Sequence, residues 1–217
     1  MNKKVAIILS GCGVFDGAEI NETVLTALSL DQLGAQVEYF APDINQHHVL
    51  NHLTGEEMPE QRNVLVESAR ITRGKSRNIR ELKAADFDAV ILPGGFGVAK
   101  NLSDFAFKGA DCRVQEDTLQ AILQFKSAHK PVGLICISPV LSAKIFAEGV
   151  RCTIGDDADT AAAITQMGGV HQDCAVGGIV VDEKNRLVTT PAYMLAQSIS
   201  EAAKGIHKLV EQVLAMA

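Results

Sequence analysis

Five short apolar runs, separated by longer stretches of helical period, constrain this sequence more than any other feature. They are VAIIL at 5–9, QVEYF at 36–40, AVIL at 89–92, VGLI at 132–135 and RLVTT at 186–190. Strands buried on both faces read this way, and their alternation with helices predicts α/β architecture: a mostly parallel sheet covered by helices on both sides. Helices are predicted at about 20–33, 114–129, 139–147, 160–167 and 193–216, with Gly205 a point where the last can break. Residues 176–182, joined to 186–190 across Glu183, Lys184 and Asn185, predict an antiparallel hairpin at the sheet edge.

Residues 42–85 are longer and more polar than a link between the second and third of these strands requires. NHLTGEEMPEQ reads as a loop, and RNVLVESARI has apolar residues at helical spacing. The segment is therefore expected to be an insertion in a single domain spanning 1–217, packed on a site rim or against a partner.

Composition removes several function classes. With 47% hydrophobic and 21% charged residues the chain can fill a core without long disorder. A net charge of -6 and no clustered Lys and Arg exclude nucleic acid as a partner. The apolar run after Lys3 and Lys4 stops at Ser10-Gly11, too short for a signal peptide or a membrane span, which sets the expectations of no membrane contact and a cytoplasmic protein. Five cysteines without a CxxC pair predict reduced thiols and neither a disulfide framework nor a zinc site.

Three stretches carry chemistry. In LICISPVL, Cys136 stands between an apolar strand and a helix start marked by Pro139, where unpaired N–H groups favour a thiolate; the plain alternative is a buried small hydrophobe. In LPGGFGVAKNLSDF, Gly94 and Gly95 present bare backbone donors at a strand end, or form an ordinary turn. In GAEINETVL, Glu19 and Glu22 are three apart and share one helix face, either toward the strand ends or as an acidic first turn. Cys12, between Gly11 and Gly13, lines the same pocket or replaces Cys136 as the reactive thiol. Asp156, Asp157 and Asp159 fit a solvated helix start better than a divalent-cation site.

These stretches together resemble the ThiJ/PfpI group of the class I glutamine-amidotransferase-like superfamily. With the terminal MGGVHQDCAVGGIVVDEKNRLVTTPAYMLAQSISEAAKGI, the resemblance covers nearly the whole chain apart from residues 42–85. Within that segment NHLTGE and RNVLVESARITRG, together with the later TTPAYMLAQ, are similar to the enhancing-lycopene-biosynthesis (ElbB) branch. The resemblance implies a flavodoxin-like three-layer sandwich, a homodimer, Glu22 against the nucleophile Cys136, and cofactor-free conversion of glyoxal or related 2-oxoaldehydes to 2-hydroxy acids. It also implies an association with isoprenoid biosynthesis that no residue here explains. Gly95 and Ile137 then supply oxyanion donors, Cys12, Glu19, Gly94 and His171 border the pocket, and no metal is required.

One departure matters. Related enzymes place a histidine directly after the cysteine or about twenty residues later, but here Ile137 follows and the later region reads TIGDDADT. None of the six histidines begins the His-x-Glu pair of a glutaminase triad, which weakens an amidotransferase reading. The alternative to an aldehyde-converting enzyme is a protein that senses oxidants or binds a metabolite through the same cysteine.

Overall fold

The computed structural model describes residues 3–146 and 148–217. β1 (Lys4–Ile8), α1 (Ile20–Gln32), β2 (Gln36–Ala41), α2 (Val64–Ile71) and β3 (Ser76–Asn78) come first. β4 (Ala89–Leu92), α3 (Phe96–Lys100), α4 (Phe105–Lys108), α5 (Glu116–Ser127) and β5 (Val132–Ile135) follow. Then come α6 (Ser142–Ile145), β6 (Arg151–Cys152), α7 (Ala158–Gln166), β7 (Val170–His171), β8 (Val180–Asp182), β9 (Leu187–Thr190) and α8 (Ile199–Met216). Seven strands form one sheet in the order β3-β2-β1-β4-β5-β9-β8, parallel except for β8, which runs antiparallel to β9. This is the expected flavodoxin-like arrangement, edge hairpin included. β6 and β7 pair separately.

Successive side chains of a strand face opposite sides, so the sheet divides two cores. Val5, Ile7, Ala89 and Ile91 pack with Leu30 of α1 and with Leu209, Val210 and Val213 of α8. Ala6, Ile8, Val90, Leu92, Val132 and Leu134 pack with Ile122 and Phe125 of α5. Every residue of β4 and β5 is buried, which is why these strands read as unbroken apolar runs rather than alternating ones.

Residues 42–85 hold more than a loop and a helix. Ser76, Arg77 and Asn78 pair in parallel with Tyr39, Phe40 and Ala41, so the second half of the segment is a β2–α2–β3 crossover that widens the sheet. The first half closes on itself through the bridges Asn45↔Asn63 and Leu50↔Glu57. It also grips the loop after β1: the Leu50 N–H donates to Asp16 Oδ2 (2.8 Å), and the Phe15 N–H donates to His52 Nε2 (3.2 Å).

Two helix predictions need correction. The final helix begins at Ile199, where the Ser198 hydroxyl caps the Glu201 N–H, and residues 192–194 form a separate 3₁₀ turn. It runs unbroken through Gly205, where a Cβ would lie 2.6 Å from Thr190 Oγ1 and 2.7 Å from the Val176 carbonyl, so the glycine serves close packing on β9. The helix expected over 139–147 is a 3₁₀ turn (Ser138–Leu141) followed by the single turn of α6; its last predicted residue, Ala147, lies outside the described residues.

Candidate functional site

Because β1, β4 and β5 are parallel neighbours, the loops that leave them meet beyond the carboxyl ends of the strands, where open α/β sheets form their crevices. At the end of β5 the chain turns through Cys136, which holds a left-handed backbone (φ 63°) unusual for a residue with a side chain. The Cys136 N–H donates to the Thr190 carbonyl (2.9 Å), and the Ser138 hydroxyl donates to the Pro93 carbonyl (2.8 Å), tying the elbow to β9 and to the loop after β4.

Glu19 caps α1 by accepting the Glu22 N–H, which places Glu22 in the first turn, fully buried. One Glu22 carboxylate oxygen accepts the Gly94 N–H (2.8 Å) and the other accepts the Tyr193 N–H (3.2 Å). Gly94 is the hinge of the arrangement. A Cβ there would lie 2.4 Å from Cys136 Cβ, 2.8 Å from Glu22 Oε2 and 2.9 Å from the sulfur, so the carboxyl and the thiol meet only because residue 94 has no side chain. Gly95 (φ 95°) is equally constrained, its missing Cβ pointing at the Gly17 carbonyl 2.4 Å away.

Burial, then the charge of Glu19, pushes the Glu22 carboxyl up to about 7, although the Tyr193 and Gly94 N–H groups and the Cys136 thiol oppose the rise. The Cys136 thiol is held well above the ordinary range by burial, then by the Glu22 charge and the hydrogen bond it donates to Glu22; the Gly95 and Ile137 N–H groups pull it down. The sequence pattern favoured a lowered thiol pKa, and this is corrected. The helix after the elbow is too short and the site too dry for its N–H groups to offset desolvation, so in the free pocket the proton belongs on sulfur.

A cavity of about 360 Å³ opens onto the sulfur and is lined in part by Glu19, Gly95, Phe96, Cys136, Ile137, Asp157, Thr160 and Tyr193. Cys136, Glu22, Gly94, Gly95, Ile137 and Glu19 are therefore brought together as the sequence suggested. Two expected members are not. Cys12 does not line this cavity; it lies in the field of Glu67, Arg70, Asp16 and Arg62 and its thiol is raised mainly by burial. His171 belongs to the small β6–β7 sheet, where its Nε2 accepts the Ile154 N–H (3.2 Å), and it too is absent from the lining. No histidine lines the cavity among the described residues. The sequence reading missed Tyr193, whose backbone donor carries no side-chain signal. It placed Asp157 at a solvated helix start; Asp157 does cap α7 by accepting the Thr160 N–H (2.9 Å), and it also faces the cavity. A larger groove of about 810 Å³ between α1, β2 and α2 has no cysteine among its described lining residues.

A left-handed cysteine after a central parallel strand, a glycine loop on the neighbouring strand and a buried carboxyl from the first helix define a cysteine-elbow protein of amidotransferase-like fold. Comparison with known proteins gives the lineage: residues 3–198 match the DJ-1/PfpI family, and the chain belongs to it. It is 46% identical over 221 aligned residues to the rat "ES1 protein homolog, mitochondrial", covering 97% of this chain and 83% of the relative. The human "Glutamine amidotransferase-like class 1 domain-containing protein 3, mitochondrial" is also 46% identical, covering 97% and 82%. Among solved structures, the "isoprenoid biosynthesis protein with amidotransferase-like domain" from Ehrlichia chaffeensis superposes with a TM-score of 0.92 at 38% identity over 99% of both chains. These relatives correct one expectation: both curated ones are named mitochondrial, so the assignment to the cytoplasm is withdrawn.

Proposed function

We propose that this protein is a cofactor-independent glyoxalase that converts glyoxal and small 2-oxoaldehydes to 2-hydroxy acids. The observation that carries the reading is the meeting of the Cys136 thiol and the buried Glu22 carboxyl over the bare Gly94 backbone, with the carboxyl near 7. A carboxylate with that pKa accepts a proton near neutral pH and returns it. As sulfur attacks one aldehyde carbon, Glu22 takes the thiol proton and passes it to the new oxygen, which the Gly95 and Ile137 N–H groups stabilise while it is charged. Glu22 next removes the C–H proton from the hemithioacetal carbon and delivers it to the adjacent carbon through an enediol. One carbon is oxidised and its neighbour reduced, leaving a thioester of glycolate. Water cleaves the thioester, restoring the thiol, so glyoxal plus water gives glycolic acid without external oxidant or metal.

The experiment is turnover of glyoxal by purified protein, with glycolate quantified, alongside Cys136→Ala and Cys12→Ala. Loss with the first and retention with the second is expected. The absence of a lining histidine among the described residues favours a second reading, a redox-sensing or metabolite-binding pocket. Oxidation of Cys136 by peroxide without any glyoxal turnover would select it. Homodimer assembly, expected from the family resemblance, is part of the proposal and is read by sedimentation.

A further inference from the structure

A second cavity, of about 250 Å³, adjoins the first. Phe96 lines both, and the neighbouring residues Val14 and Phe15 line one each, so the two are halves of a trough with Phe96 as its ridge. Phe15 and Phe96 remain 37% and 47% exposed, an apolar surface left uncovered between them. The far cavity ends at Lys100, whose ammonium donates to the Phe15 carbonyl (2.8 Å), lies 3.1 Å from His48 Nε2 and stands 5.2 Å from the centre of the Phe96 ring. A carbonyl, an imidazole and a ring are its nearest partners; the Asp16 charge reaches it only from farther away, and among the described residues no carboxylate lies within 4 Å of it. The near cavity has the opposite character, since Glu19 and Asp157 line it and no cation does.

We propose that Lys100 is the anion-recognising end of an elongated site, so that the preferred substrate is an aldehyde joined through a short apolar spacer to a carboxylate or phosphate. The proposal deepens the glyoxalase reading and rests on it. The aldehyde goes to Cys136, because Glu19 and Asp157 repel an anion there; the spacer crosses Phe96; the anion meets the half-buried ammonium, where a charge-assisted hydrogen bond is strong.

The test compares kcat/KM for a 2-oxoaldehyde bearing a terminal carboxylate, its phosphate counterpart and the uncharged methyl ester of the first, in wild type, Lys100→Met and Lys100→Arg. The ratio of charged to ester substrate should fall about tenfold in Lys100→Met and recover in Lys100→Arg; whichever anion shows the larger ratio in wild type identifies the headgroup. Salt should weaken the charged substrates of wild type and leave the ester unaffected, a measurement independent of how the variants fold. Equal ratios in wild type and Lys100→Met, or no salt effect, overturn the proposal. Binding of the corresponding alcohols, which cannot react, is followed by calorimetry. If no aldehyde is turned over yet the anionic alcohol binds about tenfold more weakly to Lys100→Met, the glyoxalase reading fails and the anion site stands.

Discussion

Replacing Glu22 by glutamine should change how stability depends on pH, by an amount the structure sets. The Glu22 carboxyl rises from an ordinary 4.5 to about 7 in the folded protein, chiefly because it is fully buried. A carboxyl raised on folding keeps its proton longer in the native state than in the unfolded one. The contribution of Glu22 to wild-type stability is therefore full below the unfolded value and is lost as pH climbs from about 4.5 through 7. At about 1.36 kcal/mol per pKa unit, the loss from this group between pH 5 and pH 8 is about 2–3 kcal/mol. Glutamine cannot ionise and removes this slope. It also has one acceptor oxygen for two N–H donors, Gly94 and Tyr193, so one donor faces an amide nitrogen at a cost of about 1–2 kcal/mol at every pH. Glu22→Gln should accordingly be less stable than wild type at pH 5 and equal or more stable at pH 8. Urea unfolding at closely spaced pH values, with both chains showing the same m-value, gives the difference directly. Parallel stability curves across that range would refute a buried carboxyl that titrates near neutrality, and with it the proton shuttle.

Gly94→Ala forces a methyl against Cys136 Cβ and Glu22 Oε2, so glyoxal turnover should fall ~100-fold or more even where the variant folds, as single-turnover assays would show. Glu22→Ala removes the charge and the hydrogen-bond acceptor that hold the Cys136 proton in place, so the pH midpoint for alkylation of Cys136, followed by peptide mapping, should move down. Turnover should survive prolonged chelator treatment, because no proposed step uses a metal; loss with chelator and recovery with a divalent ion would contradict the mechanism.

Which parts of the fold could be read in advance follows from burial. β4 and β5 are covered on both faces and announce themselves as apolar runs, whereas β3 is the polar tripeptide Ser76–Asn78 at a sheet edge, held by β2 alone, and has no pattern to detect. β6 and β7, two residues each, are equally silent. At the site, Cys136, Glu22 and the Gly94–Gly95 pair were legible because strand ends and helix starts fix where such residues lie. Tyr193 acts through its main chain from a turn after β9, and Asp157 arrives from a helix start far along the sequence, so only the folded chain brings the first to Glu22 and both to the cavity. The thiol pKa was misread because a helix start is visible in sequence while the dryness around it is not.

The left-handed backbone at Cys136 sets folding ease against chemistry at a single position. A residue with a side chain pays about 1–2 kcal/mol for that conformation and glycine pays almost nothing. If the sulfur had no task, glycine would be the easier occupant, and drift in a chain released from catalysis would run in that direction. Glycine at the elbow of an otherwise similar chain would thus be the signature of a protein that has kept this scaffold and given up its reaction.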